Sequence, residues 1–285
     1  TGPAELMIED ALVLRADGHD VTIGMDTVRA GTLRARVEAE GLPVAPLELC
    51  RKGSPASFWR DVRALRRALR EGRFDTLHAR FSLDHHVALL ALAGLDRSRF
   101  RLLRSCELQH NTARGAARSL AHGATDRLAV PSGAHAADLV RHHLIDPARV
   151  HLLPGRVDAD RFAPGASSLR RELGIDADDP VVGIVSRIKP DRRHADLLAA
   201  FAIARRRVPR ARLVIVGRGE GEAEVRALVD RLGLADAVRF AGYRTGPALV
   251  DAYRAFDVKA WIAPGNDGTC RAVLEAMACG CAVLG

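Results

Sequence analysis

The sequence predicts an α/β protein built on doubly wound parallel sheets, and three observations carry that expectation. Beyond Pro180, short apolar runs and helical stripes alternate with even spacing, which is the mark of repeated βα units. The first half alternates in the same way with less regularity. Between the halves, Pro154-Gly155 and Pro164-Gly165 bracket a polar stretch that reads as a linker. A chain of 285 residues, 48% hydrophobic and 27% charged, is long enough for two domains with separate cores. The predicted domains are 1–165 and 166–285.

Each element has its own signal. Residues 6–14 read as a helix, 20–23 as a strand after the Asp17-Gly18-His19 turn, 33–40 as a helix and 44–49 as a strand. Phe58, Val62, Leu65 and Leu69 form a helical stripe, with Ser57 as the expected N-cap. Strands are predicted over 76–78, 101–103 and 128–130, with a helix over 83–93. In the second half, Val181-Val182-Gly183-Ile184-Val185 suits a strand buried on both faces. A helix over 196–208 follows, then strands over 213–216, 238–241 and 258–262 interleaved with helices over 222–232 and 248–256. A helix over 270–278 and a strand over 282–284 close the pattern.

The net charge of +8 points toward anionic partners, but only Lys52, Lys189 and Lys259 are lysines. The abundance of arginine and alanine looks like GC-rich coding, which weakens charge as a functional signal. Basic residues do cluster locally: eight lie between Arg51 and Arg73 against two acids, Asp61 and Glu71. Two readings fit, a solvated helix face and a peripheral contact with anionic lipid headgroups. Phe58 and Trp59 are the only aromatics there, so nucleic acid is not an expected partner. The N-terminus lacks a signal-peptide layout and no apolar run is long enough to span a bilayer, so the expected compartment is the cytoplasm, with the inner membrane face as a docking surface. Five cysteines without C-x-x-C spacing suggest neither a disulfide framework nor structural zinc. His85-His86 and His142-His143 are adjacent pairs that point about 100° apart on a helix, so no metal is expected.

The chemistry-bearing residues gather where strands end. Asp267 and Glu275 stand at the two ends of a loop-to-helix transition that Gly268 helps to turn. Two carboxylates so placed can grip neighbouring hydroxyls, while a helix N-terminus between them favours a phosphate. The competing reading is a capped helix with Glu275 on its solvated side. In a doubly wound sheet, ligands sit at the carboxyl ends of strands. Arg187, the loop bearing Arg192 and Arg193, Gly217 and Gly242-Tyr243 all fall there. Arginines at such an edge can stabilise the charge that develops on a departing diphosphate, or simply form a solvent-facing loop. Tyr243 reads equally as a border for a base and as a packed surface residue. Gly217-Arg218-Gly219-Glu220-Gly221 resembles a dinucleotide fingerprint weakly, because its third glycine comes one residue early. A loop that lets backbone approach a diphosphate fits it better.

Taken together, these residues resemble the retaining nucleotide-sugar glycosyltransferases of family 4, which have the GT-B architecture of two Rossmann-like domains facing each other. Asp267 and Glu275 resemble that family's acid-x7-acid motif, with aspartate in place of the usual first glutamate, and Glu275-Ala-Met-Ala-Cys-Gly280 resembles its ending. Leu153-Pro154-Gly155-Arg156-Val157-Asp158 looks like the inter-domain signature, and Thr1-Gly2-Pro3-Ala4 like the first glycine loop. The resemblance implies transfer from a UDP- or GDP-linked sugar to a glycan, lipid or small-molecule acceptor, with retention and without a metal or other cofactor. It implies a diphosphate site at Arg187 and Arg192, with Arg192 where relatives have lysine. It implies ribose binding by Glu275, sugar binding by Asp267 and donor contacts from Gly2, Arg193, Gly217, Tyr243 and Gly268. A histidine usual near the reacting sugar is missing: Cys106 and Glu107 occupy its place. His78, Glu107 and His110 remain as acceptor-side candidates. Relative to that family, the first strand and the closing C-terminal segment are expected to be absent. A non-catalytic sugar-nucleotide or carbohydrate-binding protein of the same fold is the alternative.

Overall fold

The computed structural model describes residues 2–26, 31–48, 55–262 and 270–285. Thr1–Pro154 forms one compact unit, and Gly155–Gly265 with Cys270–Gly285 a second. The compact units divide at the amino end of the Pro-Gly-bracketed stretch. Phe162, 1% exposed, explains this, because it is buried in the core of the second unit.

The first unit runs α1 (Gly2–Ala16), β1 (Ile23–Met25), α2 (Gly31–Ala39), β2 (Val44–Pro46), α3 (Pro55–Arg70), β3 (Thr76–Ala79) and α4 (Ser82–Leu92). It continues through β4 (Arg101–Ser105), α5 (Gln109–Thr112), α6 (Ala116–Gly123), β5 (Arg127–Val130), α7 (Gly133–His143) and β6 (Val150–Leu152). All its strand pairs are parallel, in two separate sheets, β1-β2 and β3-β4-β5-β6. Strand β1 starts at Ile23, later than the predicted 20–23, since its partner β2 begins with Val44 opposite Ile23 and earlier residues have no ladder to join. Helix α3 starts at Pro55, so Ser57 is a buried first-turn residue and not the cap; proline suits the first turn, where no intrahelical N–H is required. The sheet β3–β6 is covered by α3 and α4 through Leu69, Ala88 and Leu92, which join Leu102 of β4 in one core, and by α7 through Leu139.

The second unit contains α8 (Leu169–Glu172), β7 (Val181–Val185), α9 (His194–Arg205), β8 (Arg212–Val216), α10 (Glu222–Arg231), β9 (Val238–Gly242), α11 (Gly246–Arg254), β10 (Val258–Ala260), α12 (Arg271–Ala278) and β11 (Ala282–Leu284). Its five strands are parallel in the order β11-β10-β7-β8-β9. Along β8, Val214 and Val216 enter one core while Leu213 and Ile215 enter the other. Both faces are therefore dry, which is why the strand has no polar alternation. The winding direction reverses between β7 and β10, and doubly wound sheets bind ligands beyond the strand ends at such a switch point.

Candidate functional site in the second unit

The loop after β7 bears Arg187, which is exposed and makes no hydrogen bond or ion pair among the described residues. Its path is held by Ser186, whose Oγ lies 3.1 Å from Nε2 of buried His194 at the start of α9, and by the Ile188 N–H bonding the Arg218 carbonyl. Burial lowers the His194 pKa below its ordinary value, so the neutral ring serves as a structural tie. Arg192 ends a short 3-10 turn, and its Nε is buried without a hydrogen bond, 3.6 Å from the Asp191 carboxylate. That separation is too long for a hydrogen bond. Arg193 has a left-handed backbone (φ 56°) and pairs with Asp196 at 2.6 Å. Its charge is thus already partnered, unlike that of Arg187.

The glycine loop after β8 packs against the Arg187 loop. A Cβ on Gly217 would lie 1.9 Å from the Ser186 carbonyl, and one on Gly219 2.1 Å from the Ile188 carbonyl. These glycines are required by loop-on-loop contact inside the protein. Lys189 and Glu220 add an ion pair of 2.8 Å across the same seam, which holds the exposed Glu220 carboxyl below its ordinary pKa. After β9, Tyr243 is 60% exposed, and Arg218 stacks 4.5 Å above its ring. The pair presents a flat cationic-aromatic face. Sequence reading singled out Tyr243 and missed Arg218, although the Gly-Arg-Gly spacing places it two residues beyond the end of β8.

Glu275 lies in the second turn of α12 and is 5% exposed, not on a solvated helix side. Tyr253 Oη donates to Oε2 at 2.7 Å, and Arg271 Nε donates to Oε1 at 2.7 Å. Neither partner was expected, because Tyr253 comes from α11 and only packing brings it there. Asp267 and Gly268 lie outside the described residues. Arg187, Arg192, Arg193, Gly217 and Tyr243 thus all follow the carboxyl ends of strands in one sheet, and Glu275 stands on the helix after β10.

In the first unit, Gly2 is the first residue of α1. His78 Nε2 lies 2.8 Å from Ser105 Oγ, and burial lowers its pKa, with Arg104 adding to the effect. Glu107 is half-buried and bonded to Arg80, which also pairs with Asp10 of α1. Burial pushes the Glu107 carboxyl up to about 7, and the Arg104 guanidinium opposes the rise. His110 is exposed on α5. Arg80, just beyond β3, was not singled out from the sequence, since one arginine among so many carries no local signal. Among the described residues, no cluster of three or more His, Cys, Asp or Glu side chains is arranged to hold a metal ion.

Comparison with known proteins fits this layout. A profile described as Glycosyltransferase Family 4 matches residues 6–161, and one described as Glycosyl transferases group 1 matches 166–285. A D-inositol 3-phosphate glycosyltransferase of Saccharomonospora viridis is 31% identical over 274 residues, covering 85% of this chain and 62% of that protein. The enzyme of the same name from Mycobacteroides abscessus is 39% identical over 165 residues, covering 56% and 36% respectively. The chain therefore spans between about a third and three fifths of the length of these curated relatives. Among solved structures, a Rickettsia africae glycosyltransferase superposes with a TM-score of 0.80 at 15% identity, covering 98% of this chain and 74% of that one. Anabaena HepE in complex with UDP and glucose gives 0.76 at 20% identity, with 99% and 76% covered. Two Rossmann-like units, each matched by its own profile, make this chain a member of glycosyltransferase family 4 with the GT-B fold.

Proposed function

We propose that the chain belongs to an enzyme that transfers a sugar from a UDP- or GDP-linked donor to a hydroxyl of a glycan, lipid or small molecule, with retention at the anomeric carbon. The observation that carries this reading is the cationic loop after β7: among the described residues Arg187 makes no hydrogen bond or ion pair, and Arg192 has a buried donor without an acceptor, both beside the switch point of the sheet. Buried donors normally find partners, and a diphosphate would supply them. Guanidinium groups there stabilise the negative charge that grows on the leaving nucleotide, so the reading needs no metal or other cofactor. Asp267 and Gly268 are assigned to the transferred sugar, Gly2 to the donor, and His78, Glu107 and His110 to the acceptor side. Support comes from the UDP-bound relative of the same fold and from the shared name of the curated relatives, which suggests a phosphorylated polyol as acceptor.

Calorimetric titration with UDP, GDP and uridine tests the reading. Arg187→Ala and Arg192→Ala are each expected to weaken diphosphate binding by about tenfold or more, the worth of a charge-assisted bond, and to leave uridine binding unchanged. Undiminished UDP and GDP affinity in both variants, or no binding by the wild type, would sink the assignment.

A peripheral membrane contact is part of the same proposal. Trp59, Arg63, Arg66, Arg67 and Arg70 share an arc of about 100° on α3, flanked on one side by its buried Val62 and Leu69. Arg60 is neutralised by Glu48, whereas Arg63, Arg67 and Arg70 are exposed and have no ion pair among the described residues, and Trp59 is 48% exposed among them. An interfacial tryptophan within an arginine stripe suits anionic headgroups. No described helix is long and apolar enough to cross a membrane. The chain is expected to sediment with phosphatidylcholine vesicles containing phosphatidylglycerol and not with phosphatidylcholine alone. The Arg63→Glu/Arg67→Glu/Arg70→Glu variant should lose this binding, and equal sedimentation by variant and wild type would disprove the contact.

A further inference from the structure

The Glu275 carboxylate is held from two sides by groups that helix stability does not account for. Arg271 sits in the first turn of α12 and Glu275 four residues later, the less favourable order for an ion pair on a helix, with a cation where the dipole prefers an anion. Both side chains are also largely removed from water, at 14% and 7% exposure, and desolvation offsets much of the attraction in such a pair. Tyr253 is 0% exposed. Its ring is wedged edge-on between Phe162 and Phe256, with centroids at 6.0 and 6.2 Å, and its carbonyl accepts from the Cys281 thiol at 3.1 Å. The ring has no room to swing, so the position of Oη is set by the core. Burial, with the Glu275 charge beside it, raises the phenol pKa well above its ordinary value, which keeps the hydroxyl a donor.

We propose that Tyr253 and Arg271 are positioning residues that aim the Glu275 carboxylate at the two neighbouring hydroxyls of the donor's ribose. An ionised carboxylate accepts about four hydrogen bonds. Tyr253 takes one position on Oε2 and Arg271 one on Oε1, which leaves one acceptor direction on each oxygen. Two coplanar acceptors on one carbon match the neighbouring hydroxyls of a cis diol. Because both oxygens are already fixed, binding would not need to order the side chain, and the selectivity for ribose follows from preorganisation. This inference rests on the nucleotide-diphosphate reading of the second unit, and it concerns the ribose where the preceding test concerns the phosphates.

The test compares the affinity of the full chain for UDP and for 2′,3′-dideoxy-UDP, or for the GDP pair if that base is preferred. Wild type should favour the ribonucleotide by about 10- to 100-fold, as expected for bonds to a charged acceptor. Glu275→Gln should abolish most of that ratio. Tyr253→Phe and Arg271→Met should each shrink it to about a third of the wild-type value or less, with dideoxynucleotide affinity retained. Tyr253→Phe keeps the ring, and a thermal melt like that of the wild type establishes that the core is intact. A ratio that collapses in Glu275→Gln but survives in both other variants overturns the positioning role. Equal loss of both nucleotides in Tyr253→Phe also overturns it, since that is what a merely structural tyrosine would give. If the ratio is near unity in wild type, Glu275 does not read the ribose. If neither nucleotide binds, the nucleotide-diphosphate reading itself has failed.

Discussion

Gly217→Ala is expected to lower the melting temperature of the second unit by roughly 10 °C, corresponding to about 2–4 kcal/mol for a domain of this size. Two costs add. The backbone at Gly217 has φ 148°, which L side chains rarely adopt, and a Cβ would lie 1.9 Å from the Ser186 carbonyl. A backbone carbonyl at a strand end has no rotamer to relieve the clash, so the Arg187 loop must move. Gly233→Ala is the control: its φ is +65° and a Cβ there meets nothing within 4 Å, so only conformational strain of about 1 kcal/mol remains. Differential scanning calorimetry of the two variants distinguishes them. Equal melting temperatures would mean that the seam between the two loops is not closely packed. Because that seam positions Arg187, diphosphate affinity should fall in Gly217→Ala and stay unchanged in Gly233→Ala.

Acidification from pH 6.5 to 4.5 is expected to cost the first unit about 3 kcal/mol. His85, His122 and His143 form a buried chain: the first two stack at 5.8 Å between centroids, and the second meets the third at 5.1 Å. His85 bonds Thr125 at 2.7 Å, and His122 bonds the Asn111 carbonyl at 3.0 Å. Burial first, then nearby charges including Arg104, lowers His85 to about 3; burial likewise takes His122 to about 4, with His143, Arg104 and Arg118 contributing. Both rings stay neutral in the fold but gain protons near pH 6.5 when unfolded. The unfolded state therefore binds more protons across this window, and stability falls as pH falls, by about 1.4 kcal/mol per pH unit per ring. Glu107 acts in the opposite sense. Its carboxyl, raised to about 7, is protonated in the fold while still ionised in the unfolded chain above pH 4.5, so it offsets one histidine. Urea midpoints at pH 6.5 and 4.5 measure the remainder. A flat midpoint in wild type, or the same slope in His122→Phe as in wild type, would rule out the histidine chain as the cause.

The second unit was legible in the sequence because a parallel sheet covered on both faces demands contiguous apolar strands. The run at 181–185 could hardly be anything else, and β7 spans Val181–Val185 as expected. In the first unit, β6, α6 and α7 escaped notice. Helix α7 buries two histidines and one leucine, His135, His143 and Leu139, so its inner face does not look hydrophobic. The strand-end locations of Arg187, Gly217 and Tyr243 were likewise readable, since βα alternation alone puts loops there.

What the sequence by itself determined is the α/β alternation, the family, and which residue types stand after which strands. These properties are local, set by periodicity and by the turn chemistry of glycine and proline. The tertiary structure alone decided how those residues are partnered. It shows Arg193 tied to Asp196 while Arg187 makes no hydrogen bond or ion pair among the described residues, Arg80 between two carboxylates, and Gly217 required by another loop. It also puts Lys259, one of only three lysines, inside the core, where burial lowers its pKa to about 8. Glu275 is the clearest case: its motif is visible in one dimension, but Tyr253 reaches it from 22 residues away because their helices pack side by side. Hydrogen bonds and desolvation depend on distances in space, and sequence spacing carries that information only within a helix or a strand.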